Sequence, residues 1–204
     1  MKLKQFLKIL ATLAVFIFGT ASFCLAQNIK GGMIVGFNAT QIDGDAMVGY
    51  HKFGLNFGGL CMVPFSKKVS VNFEIVYSQK GSTALPNSND PSQRKIKLDY
   101  LEVPLLINYH DKEKVIFGAG LSIGNLIREK QYESGEEVPE SNNLPVNKQE
   151  LNWLVNGLFM FNKHLGFNFR YTYSLLKIAQ WPTSGYRNHA VYNNVLSFRA
   201  NYIF

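Results

Sequence analysis

VLSFRANYIF, residues 195–204, is the stretch that decides the fold of this chain. Successive side chains of an extended strand point to opposite faces. One face here would be apolar and the other polar, since Leu196, Phe198, Ala200, Tyr202 and Phe204 alternate with Ser197, Arg199 and Asn201. The stretch ends on an aromatic residue, as the last strands of outer-membrane β-barrels commonly do. It therefore predicts a strand of a membrane barrel.

The beginning of the sequence predicts export. Several lysines precede an apolar run at residues 9–18, and small residues follow it up to Ala26. This is the pattern of a secretory signal peptide, and the apolar run is too short to cross a bilayer as a helix. We expect residues 1–26 to be a cleaved signal peptide and residues 27–204 to form one outer-membrane β-barrel domain.

Charge and cysteine content exclude several classes of protein. The formal net charge is +7, with Lys and Arg scattered along the chain. Nucleic-acid-binding domains concentrate these residues in a patch or stripe, so we expect no nucleic-acid partner. After the predicted leader one cysteine remains, Cys61, which excludes an internal disulfide and a cysteine-based metal site. We expect no cofactor.

Apolar and polar residues alternate in eight segments of the remaining chain. The predicted strands are 30–41, 51–63, 69–79, 98–109, 115–126, 150–161, 165–177 and 192–204. Tight turns and long connections alternate between them, which is typical of outer-membrane barrels with their short turns in the periplasm. The sequence predicts an all-β fold, an eight-stranded antiparallel up-and-down transmembrane β-barrel, with both mature termini in the periplasm.

A soluble β-sandwich or lipocalin-like barrel would show the same alternation with its faces reversed. Three features favour the membrane barrel: aromatic residues crowd the strand ends, the connections alternate in length, and the polar faces contain Gly and Asn more than Lys and Glu. A secreted, soluble ligand-binding barrel is the alternative.

Pro104 lies in the middle of the fourth predicted strand. Proline cannot donate a hydrogen bond to the sheet, and a closed barrel has no free edge for it. We expect a local bulge or a missing hydrogen bond at this position.

Three stretches of the chain resemble a known family. They are GFNATQIDGD at 36–45, FEIVYSQKG at 73–81 and LDYLEVPLL at 98–106. Together they are similar to porin-family, PorT-like outer-membrane β-barrel domain proteins, and the similarity covers essentially the whole mature chain. It implies an eight-stranded outer-membrane barrel, and most members have no assigned activity. PorT itself is associated with protein secretion across the outer membrane, a role that fold resemblance alone does not transfer.

The predicted interior carries charges. An eight-stranded barrel is just wide enough for side chains to fill it, so we expect a plugged lumen rather than an open pore. Four charged residues share the polar face and a similar predicted depth: Glu74, Glu102, Arg170 and Arg199. Unpaired charges are costly to bury, so we predict a Glu–Arg network across the lumen. The alternative is four separate charges solvated by trapped water.

No catalytic constellation stands out. The four histidines lie at predicted strand ends, turns or loops: His51, His110, His164 and His189. None has the spacing to a nucleophile, carboxylate or cysteine that a hydrolase or metal site would need. We expect no enzyme and no metal site, with a membrane-embedded lipid-modifying enzyme as the alternative.

Two predicted external loops differ in charge. The basic residues of the second loop are Lys80, Arg94, Lys95 and Lys97, and the acidic residues of the third include Glu133, Glu136 and Glu137. We expect these loops to contact outer-membrane lipid and other envelope or secretion proteins. The alternative is that both loops are merely solvated. The sequence thus favours an integral outer-membrane protein that acts in envelope structure or in surface and secretion-related interactions.

Overall fold

The computed structural model describes residues 29–45, 47, 49–84, 94–112, 114–139, 143–183 and 187–204. The predicted signal peptide lies outside the described residues. Within them, no helix has the length and apolar character needed to cross a bilayer.

The described residues form eight long strands and two short ones. In chain order they are β1 (Lys30–Asp43), β2 (Lys52–Pro64), β3 (Val69–Thr83), β4 (Arg94–Asp111), β5 (Val115–Glu133), β6 (Glu136–Glu137), β7 (Gln149–Met160), β8 (Leu165–Ser174), β9 (Ala179–Thr183) and β10 (Arg187–Ile203). The short strands β6 and β9 lie in connections and pair with β5 and β10, respectively.

The long strands form a closed wall. Each pairs antiparallel with its neighbour in the order β1-β2-β3-β4-β5-β7-β8-β10, and β10 also pairs with β1. In this closing pair, Phe37 lies opposite Phe198 and their rings stack with centroids 5.3 Å apart. The predicted fold class, an eight-stranded antiparallel barrel, is confirmed.

Three neighbouring strands are longer than predicted. β3 continues to Thr83, β4 begins at Arg94 and β5 continues to Glu133. All three extensions lie on the side of the long connections.

In the extensions of β3 and β5 polar residues occupy most positions of both faces. In the extension of β4 the alternation is reversed, because Ile96 and Leu98 point inward while Lys95 and Lys97 point outward, so none of the three extensions has the apolar outer face expected of a membrane strand.

The side chains are arranged inside out relative to a soluble protein. Met33 and Val35 are 61% and 63% exposed on the outer surface, whereas Asn38 and Thr40 on the same strand are buried in the lumen. Exposed apolar residues continue around the wall and include Phe53, Leu55, Phe57, Leu105, Ile107, Phe117, Leu121, Ile123 and Phe167. A continuous apolar exterior suits lipid and not water. The soluble alternative, which needs the apolar face inside, is therefore wrong.

The wall accommodates Pro104 by a missing hydrogen bond. The β3–β4 ladder pairs Phe73 with Leu105 and Val76 with Glu102, and it is interrupted between these pairs without a change of register. On the other side, Pro104 stays paired with Ser122 of β5. The bulge in this region lies five residues away, between Asp99 and Tyr100, so the missing hydrogen bond, and not the bulge, is the accommodation at Pro104.

The orientation of the barrel can be tested by labelling two exposed positions. In a Cys61→Ser background, Glu136→Cys in β6 and Lys67→Cys in the turn after β2 place a thiol at opposite rims. A membrane-impermeant maleimide added to intact cells should label position 136 and leave position 67 unlabelled. After permeabilisation both should react. Labelling of position 67 alone in intact cells would show that the barrel has the opposite orientation in the membrane.

Candidate functional site

The lumen holds a first group of buried charges, the Glu74 cluster, which consists of Glu74, Arg170 and Arg199. Arg170 donates to the Glu74 carboxylate from Nη2 to Oε1 at 2.7 Å and from Nη1 to Oε2 at 2.9 Å. Arg199 donates to Glu74 Oε2 at 3.3 Å and from Nε to Asn168 Oδ1 at 2.9 Å. The cluster therefore joins β3 to β8 and β10 across the lumen. It carries one formal negative charge and two positive ones.

A second group, the Lys80 cluster, consists of Lys80, Glu102 and Glu150. Lys80 Nζ contacts Glu102 Oε1 and lies 3.0 Å from Glu150 Oε2, and all three side chains are buried. Ser174 Oγ and Asn193 Nδ2 donate to Glu150 Oε1 at 2.6 Å and 3.0 Å. This cluster carries one positive formal charge and two negative ones. The formal charges of the two clusters therefore cancel.

Apolar side chains pack in the lumen on both sides of these charges. The layer near the short turns contains Ile34, Leu60, Met62, Val76, Ile116, Leu158, Met160 and Ile203. The layer near the long connections contains Ile42, Ile96, Leu98, Tyr100, Ile178, Ala179 and Val191, with Leu144 and Val146 packed against it. The Tyr100 ring centre lies 5.0 Å from Lys80 Nζ, so this second layer directly borders the Lys80 cluster.

Outside the lumen, the extensions of β3, β4 and β5 carry a second feature, the basic groove. It encloses about 320 Å³ and is lined by Lys52, Gln79, Lys97, Asp99, Arg128, Lys130 and Tyr132. Arg128 Nε donates to Asp99 Oδ2 at 2.5 Å. Lys97 Nζ lies 4.7 Å from the centre of the Tyr132 ring. Four cationic side chains and one carboxylate therefore line this groove.

A comparison with protein families agrees with this architecture. Residues 25–180 match the family described as outer membrane protein beta-barrel domain. The chain belongs to this family. It is a bacterial outer-membrane β-barrel protein, and its exposed apolar wall contacts membrane lipid. Among curated proteins, no match was found.

Two solved structures share the fold of this outer-membrane barrel. Ail, the attachment invasion locus protein of Yersinia pestis, in complex with the heparin analogue sucrose octasulfate, aligns with a TM-score of 0.51 and 14% identity over 86% of this chain and 99% of Ail. Neisserial surface protein A aligns with a TM-score of 0.53 and 11% identity over 86% of this chain and 97% of that protein. At these identities the similarity concerns the fold alone.

The structure brings three of the four predicted network residues together and separates the fourth. Glu74, Arg170 and Arg199 are in contact, but Glu102 pairs with Lys80 instead of an arginine. The prediction treated the depths of Glu74 and Glu102 as similar, although Glu102 lies two residues further from the short-turn end. In the observed register Glu102 lies opposite Val76, two residues beyond Glu74 towards the long connections.

Lys80 is not a loop residue, contrary to prediction. It lies within β3, its side chain is 1% exposed, and it points into the lumen. The predicted strand ended one residue earlier, because Gln79-Lys80-Gly81 shows no alternation in hydrophobicity. Glu150, at the start of β7, belongs to the same cluster. The sequence pattern did not identify it as a member of the charge network.

The other predicted loop-contact residues lie on or beside the extended strands. Arg94, Lys95 and Lys97 belong to β4, Glu133 ends β5, and Glu136 and Glu137 form β6. The basic and acidic segments contact each other, since Arg94 Nη2 donates to Glu133 Oε1 at 3.2 Å and Lys130 Nζ to Glu137 Oε2 at 2.9 Å. These pairs are exposed, so they contribute little to stability.

Two of the four histidines, His110 and His164, contact neighbouring polar groups in the structure. His110 Nε2 lies 2.8 Å from Ser70 Oγ, but Ser70 is fully buried, so its hydroxyl is closed to a substrate. His164 Nδ1 lies 2.8 Å from the carbonyl oxygen of Ile203. In the part of the chain that the structure describes, no three His, Cys, Asp or Glu side chains are grouped to hold a metal ion.

Asp45, in the connection between β1 and β2, has an altered acidity. Burial raises the pKa of its carboxyl to about 6. A hydrogen bond from the Met47 amide, at 2.7 Å, opposes this shift without cancelling it. The folded protein therefore holds a proton on Asp45 more tightly than the unfolded chain does.

Double-mutant cycles can test which charges are coupled in the lumen. Glu74→Gln should cost about 3 to 5 kcal/mol of unfolding free energy, because it leaves two buried guanidinium groups without a carboxylate. Changes at Glu74 and Arg170 should be non-additive by roughly 1 to 3 kcal/mol, and so should changes at Glu102 and Lys80. Changes at Glu102 and Arg170 should have additive effects on the unfolding free energy. Urea unfolding in lipid vesicles measures these values, and strong coupling between Glu102 and Arg170 would contradict the pairing.

Asp45 should make stability depend on pH. A raised carboxyl pKa stabilises the folded state at low pH, and that contribution is lost as pH rises from about 4 through 6. Asp45→Asn should therefore be more stable than the parent by about 2 kcal/mol at pH 8 and equal to it at pH 4. Unfolding at the two pH values measures the difference. The control, Asp111→Asn at the end of β4, removes the same formal charge from the opposite rim, and the pH-dependent gain of Asp45→Asn should exceed any change in this control.

Proposed function

We propose that this outer-membrane barrel is sealed to solutes and acts through its extracellular surface, in envelope structure or in surface and secretion-related interactions. The observation that carries the proposal is the filling of the lumen. Two ion-pair clusters of opposite net charge span it, and an apolar layer packs on either side of them.

The dimensions and chemistry of the lumen support a seal. An eight-stranded barrel is only wide enough for its own side chains. Arg170, Glu74 and Arg199 bridge opposite walls, so a passing solute would have to break buried, charge-assisted hydrogen bonds. The three charged groups at this level bond to one another, and of their side-chain nitrogens and oxygens Arg170 Nε is left without a hydrogen-bond partner. These contacts support a structural role for the interior.

The same contacts support a non-catalytic role. The polar groups that could act on a lipid, such as Ser174 and Glu150, are buried and hydrogen-bonded to each other. The wall that faces lipid is apolar. We infer that the lipid-modifying alternative lacks a place where a nucleophile could meet a lipid ester.

The extracellular surface has exposed charged side chains that a partner could reach. The extensions of β3, β4 and β5 stand beyond the apolar wall, and exposed charges of both signs line their ends, including Arg94, Glu133 and Glu136. Exposed side chains on a rigid strand scaffold suit recognition of partners. The PorT-like resemblance suggests secretion as one process to examine.

A complementation experiment tests the proposal. A strain lacking this chain is complemented with the wild type, with an extracellular variant (Arg94→Gln, Glu133→Gln, Glu136→Gln), or with a periplasmic control (Lys67→Gln, Asp111→Asn). The composition of the envelope and of the secreted fraction is then measured by quantitative mass spectrometry. The wild type and the control should restore the parental composition, and the extracellular variant should not.

Two outcomes would contradict the proposal. Full restoration by the extracellular variant would show that these extracellular charges are not needed for function. If the periplasmic control fails while both variants are present at wild-type levels in the membrane, the functional surface lies at the periplasmic rim.

A further inference from the structure

We propose that the basic groove binds a phosphate group on the headgroup of a lipid in the outer leaflet. The inference rests on the proposed function, because it names a ligand class for the same extracellular surface. It depends on three features of the groove: an unfavourable pairing of like charges, a buried lysine without a carboxylate partner, and the height of the groove above the bilayer.

A β-bulge creates the pairing of like charges. Tyr100 pairs with Leu126 and Asp99 with Arg128, so Ile127 is an extra residue on β5. If the register continued without this bulge, Lys97 would lie opposite Glu129. With the bulge, Lys97 lies opposite Lys130. Bulges commonly redirect side chains beside functional sites. This one places Arg128 and Lys130 on the outer face, at the positions that Ile127 and Glu129 would otherwise occupy.

Two directly opposed lysines on one sheet face destabilise the protein unless an anion lies between them. Lys130 Nζ donates to Glu137, which leaves other N–H groups of this ammonium unused. Lys97 lies against the Tyr132 ring, a contact that leaves its N–H groups available. The geometry is that of a site from which a compact, multiply charged anion could accept several hydrogen bonds.

Lys52 adds a third cation. Its side chain is buried, and its Nζ donates to the carbonyl oxygen of Phe53 at 3.0 Å. Among the described residues, no carboxylate lies within ion-pair distance of it, and the nearby Asp99, which attracts it from further away, is already paired with Arg128. A buried ammonium bonded to one carbonyl is incompletely compensated. A phosphate in the adjoining groove would supply the missing negative charge and acceptor oxygens.

The distance of the groove above the apolar wall indicates that the phosphate belongs to a lipid headgroup. Lys97 and Asp99 share the outer face with Leu101, which is exposed on the apolar wall. At about 3.3 Å per residue and a strand tilt of about 40°, they lie roughly 10 Å and 5 Å above Leu101. The polar headgroup layer is roughly 5 to 8 Å thick on each side of a bilayer. The groove therefore opens sideways at the level of the headgroups.

The test uses the purified full-length barrel and lipid A as the probe. Native mass spectrometry measures retention of bisphosphorylated lipid A and of lipid A from which a phosphatase has removed the phosphates. The groove variant is Lys97→Gln with Lys130→Gln. The matched control is Lys67→Gln with Lys68→Gln, which removes the same charge at the periplasmic rim.

We expect the wild type and the control to bind bisphosphorylated lipid A equally, and the groove variant to bind it about 30-fold more weakly. Dephosphorylated lipid A should bind all three proteins as weakly as the phosphorylated form binds the groove variant. Millimolar inorganic phosphate should not displace the lipid. Without lipid, the groove variant should unfold at nearly the temperature of the wild type, because it removes both a repulsion between lysines and the exposed Lys130–Glu137 pair. A cooperative heat-unfolding transition shows that it is folded.

Equal losses in the groove variant and the control would overturn the inference, as would tight binding of dephosphorylated lipid A. Full displacement by inorganic phosphate would assign the groove to a soluble anion and exclude the lipid. The single change Lys97→Gln, which keeps the Lys130–Glu137 pair, repeats the test if the double variant unfolds. The variants differ from those used for complementation, so loss of this inference leaves the proposed function standing, and the converse also holds.

Discussion

The constraint on which this structure depends is that charge buried in a narrow lumen must be neutralised. A bilayer offers no hydrogen-bonding partners, so the backbone has to close on itself as a barrel. Alternation then sends every second side chain inward, into a space about as wide as those side chains. Glu74 is held there by two arginines, and Lys80 is held by two glutamates. Each cluster has an excess charge of one sign, and the other cluster carries the opposite sign.

This interior explains why function is expected at the surface. The charged clusters and the apolar layers on both sides of them use the lumen side chains for contacts with one another. The outer wall serves lipid contact. The extensions of β3, β4 and β5 carry exposed polar side chains beyond the apolar wall, such as Arg94 and Glu133. The bulge at Ile127 lies at the base of these extensions and determines which charges face outward.

The sequence predicted the parts of the structure that follow from alternation. The eight strands, their order and the inward face of Arg170 or Glu74 could be read from period-two patterns, because lipid on one side and a packed lumen on the other give each strand two unlike faces. The extension of β5 to Glu133 could not be predicted, since polar residues occupy most positions of both of its faces. The pairing of Glu102 with Lys80 could not be predicted, because Lys80 was assigned to a loop and the two-residue difference in depth between Glu74 and Glu102 was treated as small. The opposition of Lys97 and Lys130 required a bulge that no residue pattern marks.

The central claim is that the ion-pair clusters close the lumen, and conductance across a planar lipid bilayer tests it most directly. The purified barrel is inserted into a bilayer in salt solution, insertion is verified independently by recovery of the protein from the membrane, and current is recorded at both polarities. The account predicts a membrane current equal to that of the protein-free bilayer. Steady, ohmic current steps that scale with the amount of inserted barrel would contradict it, because they would require a continuous aqueous path past Glu74, Arg170 and Arg199.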